Sequence, residues 1–259
     1  MTIILFNRAI RRSTRALRIE RGDLLPAPKP RSPLVRAFYL ASRVALRSVV
    51  LFHLWYVGVT ALVVVCFAFV DPAATTLSMY RKYVDGWKVT RPIPISMARV
   101  PKTARRMLVS VEDSTFFSHH GIEFEAFQRA IEINQQIGRP MYGGSTLTMQ
   151  TARTLFLVPF KSYLRKYLEL IVTFELELFL PKERILELYF SWAEWGKGVF
   201  GIEAASRKYF GVSVTRLDPT QTASLIAVLS SPIRFVPSTL AKSRILSSRY
   251  EFLLDRYVR

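Results

Sequence analysis

Between residues 49 and 70 the chain reads VVLFHLWYVGVTALVVVCFAFV, an apolar run without a formal charge. As helix, these twenty-two residues rise about 33 Å, enough to cross a hydrocarbon layer of about 30 Å, so the pattern predicts a transmembrane helix. A buried core helix fits poorly, because the run is long, apolar on every side, and carries Trp55, Tyr56 and flanking arginines. A cleaved signal peptide fits poorly too: the apolar run and its basic leader both exceed what such peptides carry. From Pro101 onward apolar positions recur at helical spacing and no period-two alternation stands out. Helices are expected over 103–112, over 124–137 (Phe124, Phe127, Ala130, Ile131 and Ile137), over 145–157 with Ser145 as N-cap, and over 161–180. Apolar residues surround that last helix, so most of its circumference should be buried. Asp218, Pro219 and Gln221 form a capping box with proline at the first helical position, and Ser238 is expected to cap a final helix ending near Tyr257.

This divides the chain into a basic tail (1–48), the span (49–70), a membrane-proximal linker (71–100) and a mostly α domain (101–259). The linker mixes Tyr80, Tyr83 and Trp87 with Arg81, Lys82 and Lys88 before the prolines of RPIPISM. That composition suits either an extended lead-in near lipid headgroups or an ordinary linker. A Pro-rich piece at 24–33 reads as extended chain. Net charge is +18, and residues 1–48 hold eleven Lys/Arg against two acids, a local net of +9. The positive-inside rule therefore places the N-terminus in the cytoplasm and everything after Asp71 outside, which removes nucleic acid as the main partner. The single cysteine, Cys66, excludes an intramolecular disulfide. Both Cys66 and His53 lie inside the span, where packing or lipid contact accounts for them.

Three stretches carry candidate chemistry. In VEDSTFFSHHG, Glu112 and Asp113 stand beside Phe116 and Phe117, then His119, His120 and Gly121. Apolar surroundings disfavour a charged carboxyl, which suits proton transfer, and Glu112 is the candidate acid or base. In YGGSTLTMQTARTLFL a glycine pair precedes a helix start, with the hydroxyls of Ser145 and Thr146 nearby, and Gln150 and Arg153 share a helix face. Alone, this is an ordinary loop-to-helix junction; together the groups suit sugar hydroxyls or phosphate oxygens. In the 161–180 helix, Arg165, Lys166 and Glu169 fall on one stripe. An exposed ion pair in that order is worth only roughly 0.2–0.5 kcal/mol, so a cleft for a polyanion accounts better for two cations and an acid there.

These motifs, followed by KERILELYF from Lys182 and GVFGIEAASRKYFG from Gly198, resemble in order and spacing those of the peptidoglycan glycosyltransferases, family 51, of the monofunctional membrane-anchored kind. The likeness covers most of residues 95–250. It implies a lysozyme-like, mostly helical glycosyltransferase domain that polymerises lipid II at the inner membrane, with the N-terminus cytoplasmic and the domain outside. Partners would be lipid II, the growing glycan strand, the membrane, and other cell-wall or division proteins. By the resemblance Glu112 is the base that deprotonates the acceptor 4-hydroxyl; inversion at the donor anomeric carbon gives a β-1,4 link and expels undecaprenyl diphosphate. Glu169 matches the second family glutamate. Arg153, Arg165 and Lys166 match cationic positions near the diphosphate, Ser145, Thr146 and Gln150 match the donor-side motif, and Asp113, Phe116, His119 and Gly121 shape the loop. No cofactor is required; a divalent cation, Mg or Mn, is a candidate.

The chain departs from the family pattern at Glu123, Met149, Arg153, Thr154, Ser191 and Ser230. Both glutamates and Lys166 remain, which favours a working enzyme. Two other readings stay open. A lysozyme-like hydrolase would use the same pair of acids, and a catalytically weakened scaffold would explain the departures. No transpeptidase domain is expected, since nothing follows Arg259.

Overall fold

The computed structural model describes residues 32–138 and 143–259, so the Pro-rich piece and most of the basic tail lie outside the described residues. The chain divides into two units, 1–53 and 54–259. Helix α1 (Pro33–Phe67) is opened by Ser32, whose Oγ accepts from the Val35 N–H at 3.4 Å, with proline at the first helical position. It starts well before Val49 because residues 34–48 contain no glycine or proline to stop it. It ends at Phe67, short of Val70, as Pro72 bars helical geometry at Asp71. Among the described residues it is the one helix long and apolar enough to cross a membrane, and it fits a single-pass anchor.

In the second unit, α5 (Leu147–Phe156) packs on both α6 (Tyr163–Phe179) and α7 (Lys182–Trp192), while α9 (Pro219–Val228) packs on α3 (Lys102–Glu112) and α10 (Arg244–Tyr257). Their shared core is fully buried Met107, Leu108, Leu147, Leu176, Ile185 and Leu225. Each such side chain contributes about 1.5–3 kcal/mol on leaving water. Helices α4 (Phe124–Ile137) and α8 (Ile202–Phe210) complete the helical frame. The expected helix at 124–137 and the Asp218 capping box are present.

Elsewhere the structure corrects the expectations. The cap of α5 is Thr146, whose Oγ1 accepts from the Met149 N–H at 3.2 Å, not Ser145. The last helix is capped by Ser243, while Ser238 falls in a 3-10 turn, Pro237–Lys242. A short hairpin, β1 (Glu194–Gly196) with β2 (Val199–Phe200), escaped notice because strands of three and two residues hold no alternation to read. Helix α6 is not mostly buried. Glu169, Val172, Thr173 and Leu176 face inward, but Tyr163, Leu164, Phe174 and Leu178 are 54–97 % exposed, since its neighbours cover one side only.

The 71–100 segment is built into the domain. Helix α2 (Thr76–Tyr83) has a capping box at Thr75, and Arg81 reaches across 113 residues to the buried Glu194 at 3.1 Å while its guanidinium stacks 4.4 Å from the Trp87 ring centroid. The Gly198 carbonyl accepts from the Thr90 N–H at 2.9 Å. Gly198 has φ +69°, and a Cβ there would sit 2.5 Å from the Lys88 carbonyl oxygen, so only glycine lets the segment lie against the hairpin. Ser191 Oγ, one of the family departures, accepts from the buried Ile95 N–H at 3.1 Å and pins the segment's other end.

Candidate active site

Helix α3 ends on Glu112 and the chain then turns away through Asp113, whose carboxylate organises the loop. Asp113 Oδ2 accepts from the Leu147 N–H at 2.8 Å and from His119 Nε2 at 2.9 Å. The Gly121 N–H donates to His119 Nδ1 at 3.0 Å, so this network assigns the neutral tautomer with its proton on Nε2. Thr146 Oγ1 closes the ring on the Gly121 carbonyl at 2.6 Å. Phe116 is fully buried beneath the loop, with Lys182 Nζ 4.6 Å from its ring centroid. Thus Asp113, Phe116, His119, Gly121 and Thr146 are joined to one another, leaving Glu112 at the edge.

Glu112 is ion-paired with Arg249 of α10 and accepts from Gln150 Nε2 at 3.1 Å. Arg249 also donates to the Val111 carbonyl at 3.3 Å, which fixes the guanidinium over the end of α3. The Gln150 amide is oriented from its other side, because Tyr189 OH donates to Oε1 at 3.0 Å. Tyr189 is fully enclosed; burial, and then the charge of Glu112, push its hydroxyl well above the usual phenol range, against the opposing pull of Arg153 and Arg249. It is therefore held as a donor, and the amide nitrogen of Gln150 must face Glu112.

The second carboxylate lies on α6, which Ser162 caps by accepting from the Arg165 N–H at 3.1 Å. Glu169 is completely buried; one oxygen pairs with Arg165, the other with Lys166 Nζ at 2.7 Å. Lys166 Nζ also donates to Ser145 Oγ at 3.3 Å, and the Ser145 carbonyl accepts from Gln150 Nε2 at 3.3 Å. A hydrogen-bonded chain therefore runs from Glu112 through Gln150, Ser145 and Lys166 to Glu169. Arg153, one turn beyond Gln150, is half-buried near Tyr189 and has no carboxylate partner among the described residues. A crevice of about 150 Å³ opens against Glu112, lined also by Ser145, Thr146, Glu123 and Arg129. At its wall Gly144 lies so close to α4 that a Cβ would come 2.6 Å from the Phe127 Cα.

Of the family departures, Glu123 lines the crevice and Arg153 lies beside Tyr189, while Met149, Thr154 and Ser191 stay off it. Met149 and Thr154 are buried on the inner side of α5. Glu123 accepts from the Ala126 N–H at 3.2 Å and so caps α4. Nothing in the structure explains Ser230. A protein-held divalent cation does not fit here, because Arg165 and Lys166 occupy both oxygens of Glu169 and no group of three ligating side chains occurs among the described residues. No motif in the sequence marks Arg249 or Tyr189. Arg249 meets Glu112 across 137 positions, and no spacing announces such a pair.

The sequence profile of the transglycosylase family matches residues 81–258. The chain belongs to this family. The match begins inside α2, ahead of the domain start at 101 expected from the onset of helical spacing. Among relatives named biosynthetic peptidoglycan transglycosylase, that of Aromatoleum aromaticum is 38 % identical over 221 residues, 81 % of this chain and 94 % of that protein. That of Pseudomonas putida strain KT2440 is 41 % identical over 199 residues, 74 % of this chain and 84 % of the relative. That of Caulobacter vibrioides is 41 % identical over 175 residues, 66 % and 74 % of the two chains. The mostly helical, lysozyme-like domain expected from the motifs is the family's domain.

Proposed function

We propose that this transglycosylase polymerises lipid II into β-1,4-linked glycan strands of peptidoglycan, anchored in the inner membrane with its N-terminus cytoplasmic and its domain outside. The observation that carries the reading is the position of Glu112 at the mouth of the crevice, oriented by Arg249 and Gln150 and wired to the cation-rich Glu169 cluster. Glu112 takes the proton from the acceptor 4-hydroxyl as that oxygen bonds to the donor anomeric carbon. The bond from that carbon to the diphosphate oxygen breaks with inversion, and undecaprenyl diphosphate leaves carrying the electron pair. Arg153, Arg165 and Lys166 lie where negative charge develops, and fixed cations there need no reorganisation as the bond breaks. Glu169 is a positioning residue: with both oxygens engaged, it holds Arg165 and Lys166 in place rather than touching sugar.

Two further observations support a lipid-borne substrate. One is the anchor; the other is the exposed apolar side of α6, which suits a neighbouring lipid surface. The biosynthetic naming of the relatives weighs against the hydrolase reading. Polymerisation of lipid II by the full-length protein in detergent, sensitive to moenomycin, is the expected result. Glu112→Gln should lower kcat by about 10²–10⁴-fold while the protein stays folded. A near wild-type rate in that variant, or release of soluble muropeptides from sacculi by the wild type, would overturn the assignment.

A further inference from the structure

The last turns of α1 are seated on the domain. From Tyr56 to Phe67, about 16 Å of helix, Tyr56, Thr60, Val64 and Phe67 recur at intervals of four, four and three and so form one face. Thr60 and Val64 are buried, Tyr56 and Phe67 pack on the core, and the Phe67 ring centroid lies 5.9 Å from that of Phe156 on α5. Leu62 and Val65, on other faces, stay exposed. At the top of the helix Arg184 of α7 donates to the Phe67 carbonyl at 2.8 Å and to Asp71 at 2.8 Å.

One polar pair interrupts this apolar seam. Thr60 Oγ1 donates to Glu175 Oε1 on α6 at 3.0 Å and lies 2.7 Å from the Tyr56 carbonyl, so its single proton is shared between them. The other Glu175 oxygen is buried without a hydrogen-bond partner. The titratable groups near it are Tyr56 across the seam and Glu177 on α6, and Glu177 is itself tied to Lys182 at 2.7 Å. Burial therefore holds Glu175 toward the neutral acid, with half a hydroxyl proton to oppose it. Glu175 does not line the crevice, so the bond-making groups leave it without a task. In lipid, apolar side chains alone set no rotation for a helix, because the tails are as apolar as they are. A polar pair does set one, since turning the helix away strands a hydroxyl and a carboxyl in hydrocarbon.

We propose that Glu175 is a positioning residue: by clasping Thr60 it fixes the rotation of the anchor on α6, and with it the height and tilt at which the crevice meets the bilayer. The inference rests on the polymerase reading, in which substrate arrives from the membrane. Helix α6 also carries Arg165, Lys166 and Glu169, so one helix holds both the anchor and the cations of the leaving group. A micelle reshapes itself around any anchor angle and a bilayer does not, so the clasp acts in vesicles and is silent in detergent.

The test compares full-length protein in phosphatidylcholine–phosphatidylglycerol vesicles carrying lipid II with the same protein in neutral detergent. Thr60→Val keeps the side-chain shape without the hydroxyl, and Glu175→Leu removes the carboxyl. Each should lower the polymerisation rate in vesicles about threefold to tenfold, with the detergent rate within about twofold of wild type. Glu175→Gln, a neutral side chain that still accepts from Thr60, should keep the wild-type rate in both media. Nitroxide labels at Leu62→Cys and Leu178→Cys, in a Cys66→Ser background, read the seating itself. Their distance distribution in vesicles should be narrow with the clasp intact or with Glu175→Gln, and broad with Thr60→Val or Glu175→Leu. Unchanged vesicle rates in both clasp variants overturn the proposal, as does an equal loss in vesicles and detergent, which would make the pair an ordinary contribution to folding. A narrow distribution in Thr60→Val also overturns it. A wild type inert toward lipid II in both media overturns the polymerase reading instead, while the label distances, which need no activity, still decide the clasp.

Discussion

Glu175 lies two turns beyond Glu169 on α6, but no cation among the described residues pairs with it. It is buried, one oxygen accepts from Thr60 Oγ1 of the anchor helix at 3.0 Å, and the other has no partner. Burial raises its carboxyl above the ordinary value, and the Thr60 hydrogen bond only partly opposes this. A group raised in the native state binds its proton more tightly there than in the unfolded chain. Its stabilising contribution is complete below the ordinary glutamate value, about 4.3, and is lost as pH rises through the higher native value. Glu175→Gln keeps an oxygen for Thr60 and removes the titration. Thermal unfolding across that pH range should fall for the wild type and stay flatter for the variant; parallel curves would refute this account. Residue chemistry of this kind was partly legible. Glu112, Glu169 and Lys166 stand out in the sequence as acids and cations in apolar company, whereas no local pattern marks Glu175, because what desolvates it is another helix.

At the scale of elements, local rules were reliable where the partners are close in sequence. The Asp218 box, the 124–137 helix and the end of α3 on Glu112 follow from spacing within a turn or two. Where two hydroxyls compete, spacing does not choose: Thr146 caps α5 because its neighbour Ser145 is engaged by Lys166 and by Gln150 through its carbonyl. The loop from Asp113 to Gly121 depends on a backbone conformation that only glycine tolerates cheaply. Gly121 has φ +95°, and a Cβ would lie 2.9 Å from Thr173 Cγ2 on α6. Gly121→Ala is expected to destabilise the protein by about 1–3 kcal/mol, read as a lower unfolding midpoint. It should also reduce polymerisation, since the Gly121 N–H and carbonyl hold His119 and Thr146. Wild-type stability in this variant would show that the loop relaxes freely.

Over the whole domain, the segment before residue 101 proves to be part of the fold, and Arg81 with Glu194 is its principal polar tie. Burial is the largest influence on Glu194 and raises its carboxyl even with Arg81 and the Gly198 N–H beside it. Removing the cation leaves a buried carboxylate uncompensated, a change that costs roughly 3–5 kcal/mol. Arg81→Met should therefore lower the unfolding midpoint, and the deficit should be larger at about pH 8 than at about pH 5, because protonation relieves the buried charge. A deficit independent of pH would point instead to lost packing on Trp87.

The sequence alone determined the long apolar N-terminal helix, the helical class, the family motifs and the pair of glutamates, because each rests on residue types at short, regular separations along the chain. Tertiary structure alone decided that Arg249 and Tyr189 orient Glu112, that residues 71–100 pack into the domain, and that α6 leaves an apolar side uncovered. Those features join residues as far apart as 113 and 137 positions, or depend on which face a neighbour covers. Periodicity says that a helix has faces; only the packed chain says what each face meets.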